Sequence, residues 1–229
     1  MDNSSNLNKQ TAKNNEGSVH VSVLLDRSGS MRAIAADTID GFNVFLSEQR
    51  DENGQCRVSL VQFDGQDTQH VVIDAIPILE VTDLAPGDYE PRGSTPLLDA
   101  LGILISRLDQ RAQADSDEHQ LVAVITDGYE NASTDHTRDQ IAELVNERTE
   151  AGWAFVFLGA NIDAFGEAGT IGMERGQTAG WKADGDGVHK SFDMVSKASK
   201  RFRSAAKEER TLLTKSLIDE IRDDEDDLD

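Results

Sequence analysis

The stretch HVSVLLDRSGSM, residues 20–31, predicts a buried strand that ends at Asp26, followed by a tight turn and the start of a helix. Asp26, Ser28 and Ser30 occupy alternate positions of this turn, so their side-chain oxygens can converge above the end of the strand. One carboxylate and two hydroxyls suit a hard cation such as Mg²⁺ or Mn²⁺. The same residue types also cap helices by accepting hydrogen bonds from free amides, and this stretch alone does not decide between capping and metal binding.

The length and composition restrict the class of protein. The 229 residues are enough for one α/β domain with an extensive core and too few for two. A single cysteine, Cys56, cannot form an intrachain disulfide, so no oxidising compartment is required. We find no apolar run of signal-peptide or membrane-spanning length and therefore expect a cytoplasmic protein without membrane contact. The net charge of −21 argues against nucleic-acid binding, which depends on clustered Lys and Arg.

Strand patterns alternate with helical patterns along the chain, which predicts an α/β fold with right-handed crossovers in a mainly parallel sheet. Residues 121–125 and 154–158 are apolar throughout, as in strands that helices cover on both faces. Residues 57–63 and 71–73 are joined by a turn too short for a parallel crossover, so they predict an antiparallel hairpin at a sheet edge. A weaker pattern predicts another edge strand over residues 177–182.

Three regions are expected along the chain. Residues 1–18 are polar and predict a disordered leader, residues 19–204 form the domain, and residues 205–229 form a charged helical extension with an acidic tail. Leu213, Leu217 and Ile221 share one stripe of the extension, which we expect to dock on the domain.

Two further loops carry oxygen ligands after or before predicted elements. Asp127 directly follows an apolar strand in the sequence TDGYEN, and Thr95 precedes Pro96 and a helix in GSTPLLD. Ligands of open α/β sheets bind at the carboxyl ends of the strands, where these loops should lie. Taken singly, TDG is a common turn and STP a common helix start. As an ordered set with the first stretch, they favour a metal site.

This set resembles the von Willebrand factor type A family, also called the integrin I-like fold, over roughly residues 20–202. The matching motifs are DRSGSM at 26–31, GSTPLLDA at 93–100 and ITDGYEN at 125–131. The resemblance implies a doubly wound, Rossmann-like sheet, mostly parallel with one antiparallel edge strand and with helices on both faces. It also implies a metal-ion-dependent adhesion site (MIDAS) that holds Mg²⁺, with Mn²⁺ or Ca²⁺ as alternatives. The ligands implied are Asp26, Ser28, Ser30, Thr95 and Asp127, either directly or through water.

The leading functional hypothesis is a non-enzymatic, metal-dependent protein-binding adaptor whose ion captures an acidic residue of a partner. The sequence contains no GxSxG motif and no P-loop, and its scattered histidines suggest no zinc pair. By analogy with the family, the partner would be an AAA+ ATPase or a protein of a stress or conflict system, and the chain would be a monomer. Two alternatives stay open: a Mg²⁺-dependent hydrolase or phosphatase that uses Asp26 or Asp127, and a scaffold whose metal site is purely structural.

Overall fold

The computed structural model describes residues 17–219 and 221. Most of the predicted leader and the acidic tail therefore lie outside the described residues, and the predictions made for them stay predictions. Within the described part of the chain, no helix combines the length and the apolar composition needed to cross a membrane.

A six-stranded sheet forms the centre of the fold, in the order β3-β2-β1-β4-β5-β6. β3 pairs antiparallel with β2, and all other neighbours are parallel. The predicted mixed sheet with one antiparallel edge strand is thus confirmed. The strands are β1 (Ser18–Asp26), β2 (Cys56–Asp64), β3 (Asp67–Pro77), β4 (Glu118–Thr126), β5 (Ala154–Ala160) and β6 (Thr178–Trp181).

In the described part of the chain, six α-helices accompany the sheet: α1 (Ala35–Arg50), α2 (Leu97–Ala114), α3 (Arg138–Glu150), α4 (Ala164–Thr170), α5 (Gly185–Ser204) and α6 (Lys207–Leu213). Three short 3₁₀ turns cover Gly29–Ile34, Ile78–Glu80 and Arg175–Gln177. The helical pattern that starts at Met31 in the sequence therefore begins as 3₁₀ structure, in which the Met31 amide donates to the Ser28 carbonyl at 3.2 Å. The α-helix proper starts only at Ala35.

Alternation along the strands places a hydrophobic core on each face of the sheet. Val21, Val23 and Leu25 of β1 pack on one face with Phe42 of α1 and Phe192 of α5. On the opposite face, Leu24 packs with residues of α2, α3 and α4. Each such buried large side chain contributes roughly 1.5–3 kcal/mol by leaving water. The expectation of helices on both faces is confirmed.

The apolar stripe beyond residue 204 packs on this core. Leu217, Ile218 and Ile221 are buried in the same cluster as β1 and α5, and Leu213 is partly buried against it. The Ile218 amide donates to the Gly176 carbonyl at 2.9 Å, which fixes this segment beside the start of β6. The predicted docking of the stripe on the domain is confirmed.

A buried polar cluster occupies the amino-terminal end of the sheet. Nε2 of His20 lies 2.8 Å from Oγ of Ser59, and Nδ1 lies 3.7 Å from Oε2 of Glu118. Arg111 holds the Glu118 carboxylate through two hydrogen bonds of 2.6 and 2.8 Å. Burial lowers the pKa of His20 to about 4, although Glu118 acts in the opposite direction. His20 is therefore neutral in the folded protein near neutral pH.

Replacing His20 with Gln should make stability less sensitive to mild acid. The unfolded chain protonates His20 near pH 6.5 but the folded chain only near pH 4, so the wild type loses stability as the pH falls through this window. Relative to His20→Gln, we expect its free energy of unfolding to drop by about 2 kcal/mol between pH 7 and pH 5. Urea denaturation at the two pH values measures this drop. A difference between the two proteins that does not change with pH would contradict the assignment.

Candidate metal centre

The candidate site lies where the strand order reverses. β1 has β2 on one side and β4 on the other, so the loops after β1 and β4 leave the sheet in opposite directions. Leu25 of β1 pairs with Ile125 of β4, which places Asp26 and Asp127 just beyond the same edge. The topology therefore opens a crevice between the two loops that carry the predicted carboxylates.

A chain of hydrogen bonds joins the two loops across this crevice. Oγ of Ser28 lies 3.0 Å from Oγ of Ser30, and Oγ of Ser30 donates to Oδ1 of Asp127 at 2.5 Å. Ser28 and Asp127 are buried, whereas Ser30 is exposed. The oxygen cluster is thus built into the protein on one side and accessible from solvent on the other.

Asp26 forms the base of the cluster. Its Oδ1 accepts a hydrogen bond from the Ser28 amide at 2.7 Å, and its Oδ2 accepts one from the Thr126 hydroxyl at 2.6 Å. The Asp26 carbonyl accepts a further hydrogen bond from the Tyr89 hydroxyl at 2.5 Å. Asp26 has no exposed surface, so its position is set by these contacts and by the strand.

Thr95 reaches the same edge on a third loop. Its amide donates to Oδ1 of Asn131 at 2.9 Å, and the Asn131 amide donates back to the Thr95 carbonyl at 3.2 Å. A Cβ atom added to Gly128 would lie 3.3 Å from the Thr95 hydroxyl, so this hydroxyl sits against the residue that follows Asp127. The Gly29 amide, between the two serines, donates to the Gly93 carbonyl at 3.1 Å. The structure therefore brings all five predicted ligands to one edge of the sheet.

The capping alternative for the serine and threonine is not supported by the geometry. Ser28 occupies the N-cap position of the 3₁₀ turn, but within the described residues its hydroxyl caps none of the turn's amides. Helix α2 has Pro96 at its N-cap position, so Thr95 lies one residue too early to cap it. The Ser28 hydroxyl contacts Ser30 instead, and the Thr95 hydroxyl lies against Gly128.

The two carboxylates of the cluster lack cationic partners. Burial raises the pKa of Asp26 to about 6 against the hydrogen bonds from Thr126 and Ser28, and the charge of Asp127 adds to the rise. Burial also raises the pKa of Asp127. Among the described residues, no Lys, Arg or His forms an ion pair with either of them. Two buried acids beside three hydroxyls match the donor chemistry of a hard divalent cation.

The loop after β4 is held by two carboxylates whose roles the sequence did not reveal. Glu130 accepts hydrogen bonds from the amides of Leu98, Ala132 and Ser133. Asp99, at the start of α2, accepts from the amides of residues 134–136 at 2.7 to 3.0 Å. These contacts tie the Asp127 loop to the helix that follows Thr95.

A second carboxylate network braces the neighbouring strand end. Oδ2 of Asp64, the last residue of β2, accepts hydrogen bonds from Nε of Arg27 at 2.7 Å and from Nε of Arg92 at 3.0 Å. Burial raises the pKa of Asp64, but hydrogen bonds from the Gln66 amide and Arg92 and the charge of Arg27 outweigh it and lower this pKa. Asp64 is thus a compensated buried acid, unlike Asp26. The position of Asp64 at the end of a predicted strand was the sequence signal that could have identified it as a buried carboxylate.

Comparison with known proteins agrees with this architecture. No protein-family model and no curated protein matches the sequence. Among solved structures, the von Willebrand factor type A protein from Catenulispora acidiphila is similar, with a TM-score of 0.57 and 15% identity over 81% of this chain and 43% of its own. The vWF domain of the type V pili tip protein Mfa5 from Porphyromonas gingivalis has a TM-score of 0.55 and 11% identity over 84% of this chain and 98% of its own. The chain has the von Willebrand factor type A fold.

The similar structures establish the fold of this chain and no more, because their identities are low. Proximal thread matrix protein 1 from the mussel byssus has a TM-score of 0.55 and 16% identity over 80% of this chain. The chain spans 46% of that protein's length and 43% of the Catenulispora chain. The fold implied by the sequence resemblance is confirmed, whereas the ligand roles of the five residues remain a prediction.

Replacing Thr126 with Val should leave Oδ2 of Asp26 without its hydroxyl donor. Since Val has nearly the same shape, the loss is electrostatic, and we expect the metal-free protein to lose about 1–3 kcal/mol of unfolding free energy. Thr126→Ser, which keeps the hydroxyl, is the matched control and should lose less. Urea denaturation in chelator measures both. Equal losses in the two variants would show that the methyl group, not the hydrogen bond, matters.

Proposed function

We propose that the domain is a metal-ion-dependent protein-binding module and acts as an adaptor. In this proposal Asp26, Ser28, Ser30, Thr95 and Asp127 form a MIDAS-type site for Mg²⁺, and the ion captures an acidic residue of a partner protein. The observation that carries the proposal is the hydrogen-bonded series from Ser28 through Ser30 to Asp127, which joins two loops 97 residues apart.

The donor set supports an ion that retains the ability to attract a carboxylate. Three of the five ligands are neutral hydroxyls, and only two are carboxylates. The ligands would therefore balance the charge of a divalent ion without making the site negative. Ser30 is exposed at the mouth of the cluster, and an incoming side chain can approach from that side. A partner's carboxylate would then complete the coordination in a protein whose net charge of −21 would otherwise repel it.

Binding without catalysis is the better-supported use of this site. A hydrolase or phosphatase would need one carboxylate as base or nucleophile, but Asp26 is 0% exposed and Asp127 only 8% exposed. Both Asp26 oxygens accept hydrogen bonds, as does Oδ1 of Asp127. Within the described residues, no three or more His, Cys, Asp or Glu side chains are grouped to hold a metal ion, so the additional carboxylates used in two-metal phosphoryl transfer are not gathered at the cluster.

The cellular setting is part of the same proposal. The single cysteine, Cys56, is buried, and burial raises the pKa of its thiol to about 11, so it is an inert core residue. We place the protein in the cytoplasm as a monomer, with an AAA+ ATPase or a protein of a stress or conflict system as the kind of partner to test first. This choice rests on analogy with the family.

The double variant Ser28→Ala, Ser30→Ala should fold but fail to bind metal. Removing single partners of metal ligands costs about 10–100-fold in affinity, so losing two ligands is expected to cost more than about 100-fold. Isothermal titration calorimetry with Mg²⁺ and with Mn²⁺ measures the loss. Thermal unfolding adds a second readout, because saturating Mg²⁺ at 100 times its Kd stabilises the wild type by about 2.7 kcal/mol but should leave the variant unchanged.

Ser106→Ala combined with Ser204→Ala is the matched control, since it removes two hydroxyls away from the cluster. This control should bind metal like the wild type. If the cluster variant binds Mg²⁺ as tightly as the control, the five residues are not the metal ligands.

Capture of a partner from native lysate should require both the ion and the cluster. We expect a protein retained by the immobilised wild type in Mg²⁺ to be lost in chelator and to be absent from the Ser28→Ala, Ser30→Ala variant. Quantitative mass spectrometry of the eluates measures retention. A partner that stays bound in chelator would favour the scaffold with a structural metal site. Release of product from generic phosphate or ester substrates that depends on Mg²⁺ and is abolished by Asp26→Ala would favour the enzyme.

A further inference from the structure

Two arginines lie beside the metal centre in a chain with nearly twice as many acidic as basic side chains. Asp and Glu number 43, against 22 Lys and Arg. Arg32 follows Ser30 by two residues, and Arg92 precedes Thr95 by three. Two positive side chains thus lie beside the candidate site although acidic residues predominate in the chain as a whole.

One side-chain nitrogen of Arg92 is hydrogen-bonded, and the two terminal nitrogens are available to a ligand. Its amide donates to the Arg27 carbonyl at 2.7 Å, which ties it to the loop that follows Asp26. Its Nε donates to Oδ2 of Asp64 at 3.0 Å, while the side chain remains 41% exposed. Among the described residues, its two terminal nitrogens have no hydrogen-bond partner. An anchored guanidinium with free donors is suited to receive an anion with little loss of side-chain entropy.

Arg32 stands next to Arg92 on the same rim. Its Nη2 donates to the carbonyl of Pro91, the residue before Arg92, at 3.2 Å. The side chain is exposed, and the 3₁₀ turn that carries it contains Ser30. The Arg32 guanidinium is thus held at the peptide unit that precedes Arg92, and the turn that carries it also carries Ser30 of the cluster.

With a divalent ion bound, the three buried carboxylates beside the site would not use up the positive charges of Arg32 and Arg92. The ion balances Asp26 and Asp127, and the buried Arg27 balances the fully buried Asp64. The loop that carries Arg92 also has two exposed carboxylates, Asp88 and Glu90, and Asp88 accepts a hydrogen bond from the Ala85 amide. Among the described residues, neither forms an ion pair with Arg32 or Arg92. Glu130 is occupied by the amides of its own loop and of α2.

We propose that Arg32 and Arg92 form a second anion contact next to the ion, so that the partner segment carries two neighbouring acidic residues. One carboxylate binds the ion, and the other binds the guanidinium pair. This inference rests on the proposed function of the site and adds the class of partner motif. Arginine forms charge-assisted hydrogen bonds with carboxylates, so a partner with two acids gains affinity that a single acid lacks.

The test uses the Mg²⁺-loaded full chain and labelled synthetic peptides. One peptide contains a single Asp among Gly and Ser residues, and the others contain a second Asp separated by zero to three Gly. Fluorescence polarisation gives the affinity of each. We expect the best two-acid peptide to bind about tenfold more tightly than the one-acid peptide, as for one partly exposed charge-assisted hydrogen-bonded contact.

The double variant Arg32→Gln, Arg92→Gln should abolish this preference. The ratio of the two affinities should fall to about one, while calorimetry shows unchanged Mg²⁺ binding. The affinity ratio distinguishes direct contact with the second acid from a structural role of the arginines. A distorted loop would lower the affinity for both peptides and leave their ratio unchanged. Arg92→Lys, which keeps the charge but not the fork, should retain part of the preference.

Arg107→Gln is the control for net charge. It removes a partly exposed arginine paired with Asp74 of β3, distant in sequence from all three metal-site loops, and should leave the preference intact. Equal binding of one-acid and two-acid peptides to the wild type, or a preference that survives in the double variant, would overturn the inference but not the metal-dependent capture. If no peptide binds the Mg²⁺-loaded protein, the proposed function fails and the inference fails with it.

Discussion

Two buried carboxylates without a cationic side chain are the feature on which the rest of the site depends. Asp26 and Asp127 stand at the carboxyl edge of adjacent strands, β1 and β4, and burial raises the pKa of both. Burying such a group costs several kcal/mol unless charge or hydrogen bonds compensate it. The hydroxyls of Thr126 and Ser30 supply part of this compensation. A bound cation would supply the rest, and it alone would act on both carboxylates at once.

The sequence was sufficient for the fold because its signals were local and mutually consistent. The uniformly apolar runs around Val124 and Val156 are typical of buried parallel strands, and the short turn after Asp64 excludes a parallel pairing between β2 and β3. The five candidate ligands were predicted by a different kind of signal. Each lies just after a strand or just before a helix. In an α/β fold the carboxyl ends of the parallel strands and the amino ends of the helices that follow them lie at the same edge of the sheet, so the topology brings these residues together.

The contacts that position these ligands were beyond sequence reasoning for a physical reason. Tyr89 lies in a long loop with little periodicity, and nothing local indicates that its hydroxyl reaches the Asp26 carbonyl. Asn131 and Glu130 have the composition of ordinary polar loops, yet their side chains replace the backbone partners that the loop after β4 lacks. Such roles depend on the approach of loops separated by 30 residues or more, as in the contact from Thr95 to Asn131. The pattern of a single loop carries no information about this approach.

The buried acids of the sheet separate into compensated and uncompensated groups. At the amino end, Glu118 is held by two hydrogen bonds from Arg111, and at the end of β2, Asp64 is held by Arg27 and Arg92. These arginines show that the fold can supply a cationic side chain to a buried carboxylate at a strand end. At the junction of β1 and β4 it supplies hydroxyls instead, which can coordinate a metal but cannot neutralise an acid. The contrast within one sheet is therefore an argument for an external cation that does not rest on resemblance to any other protein.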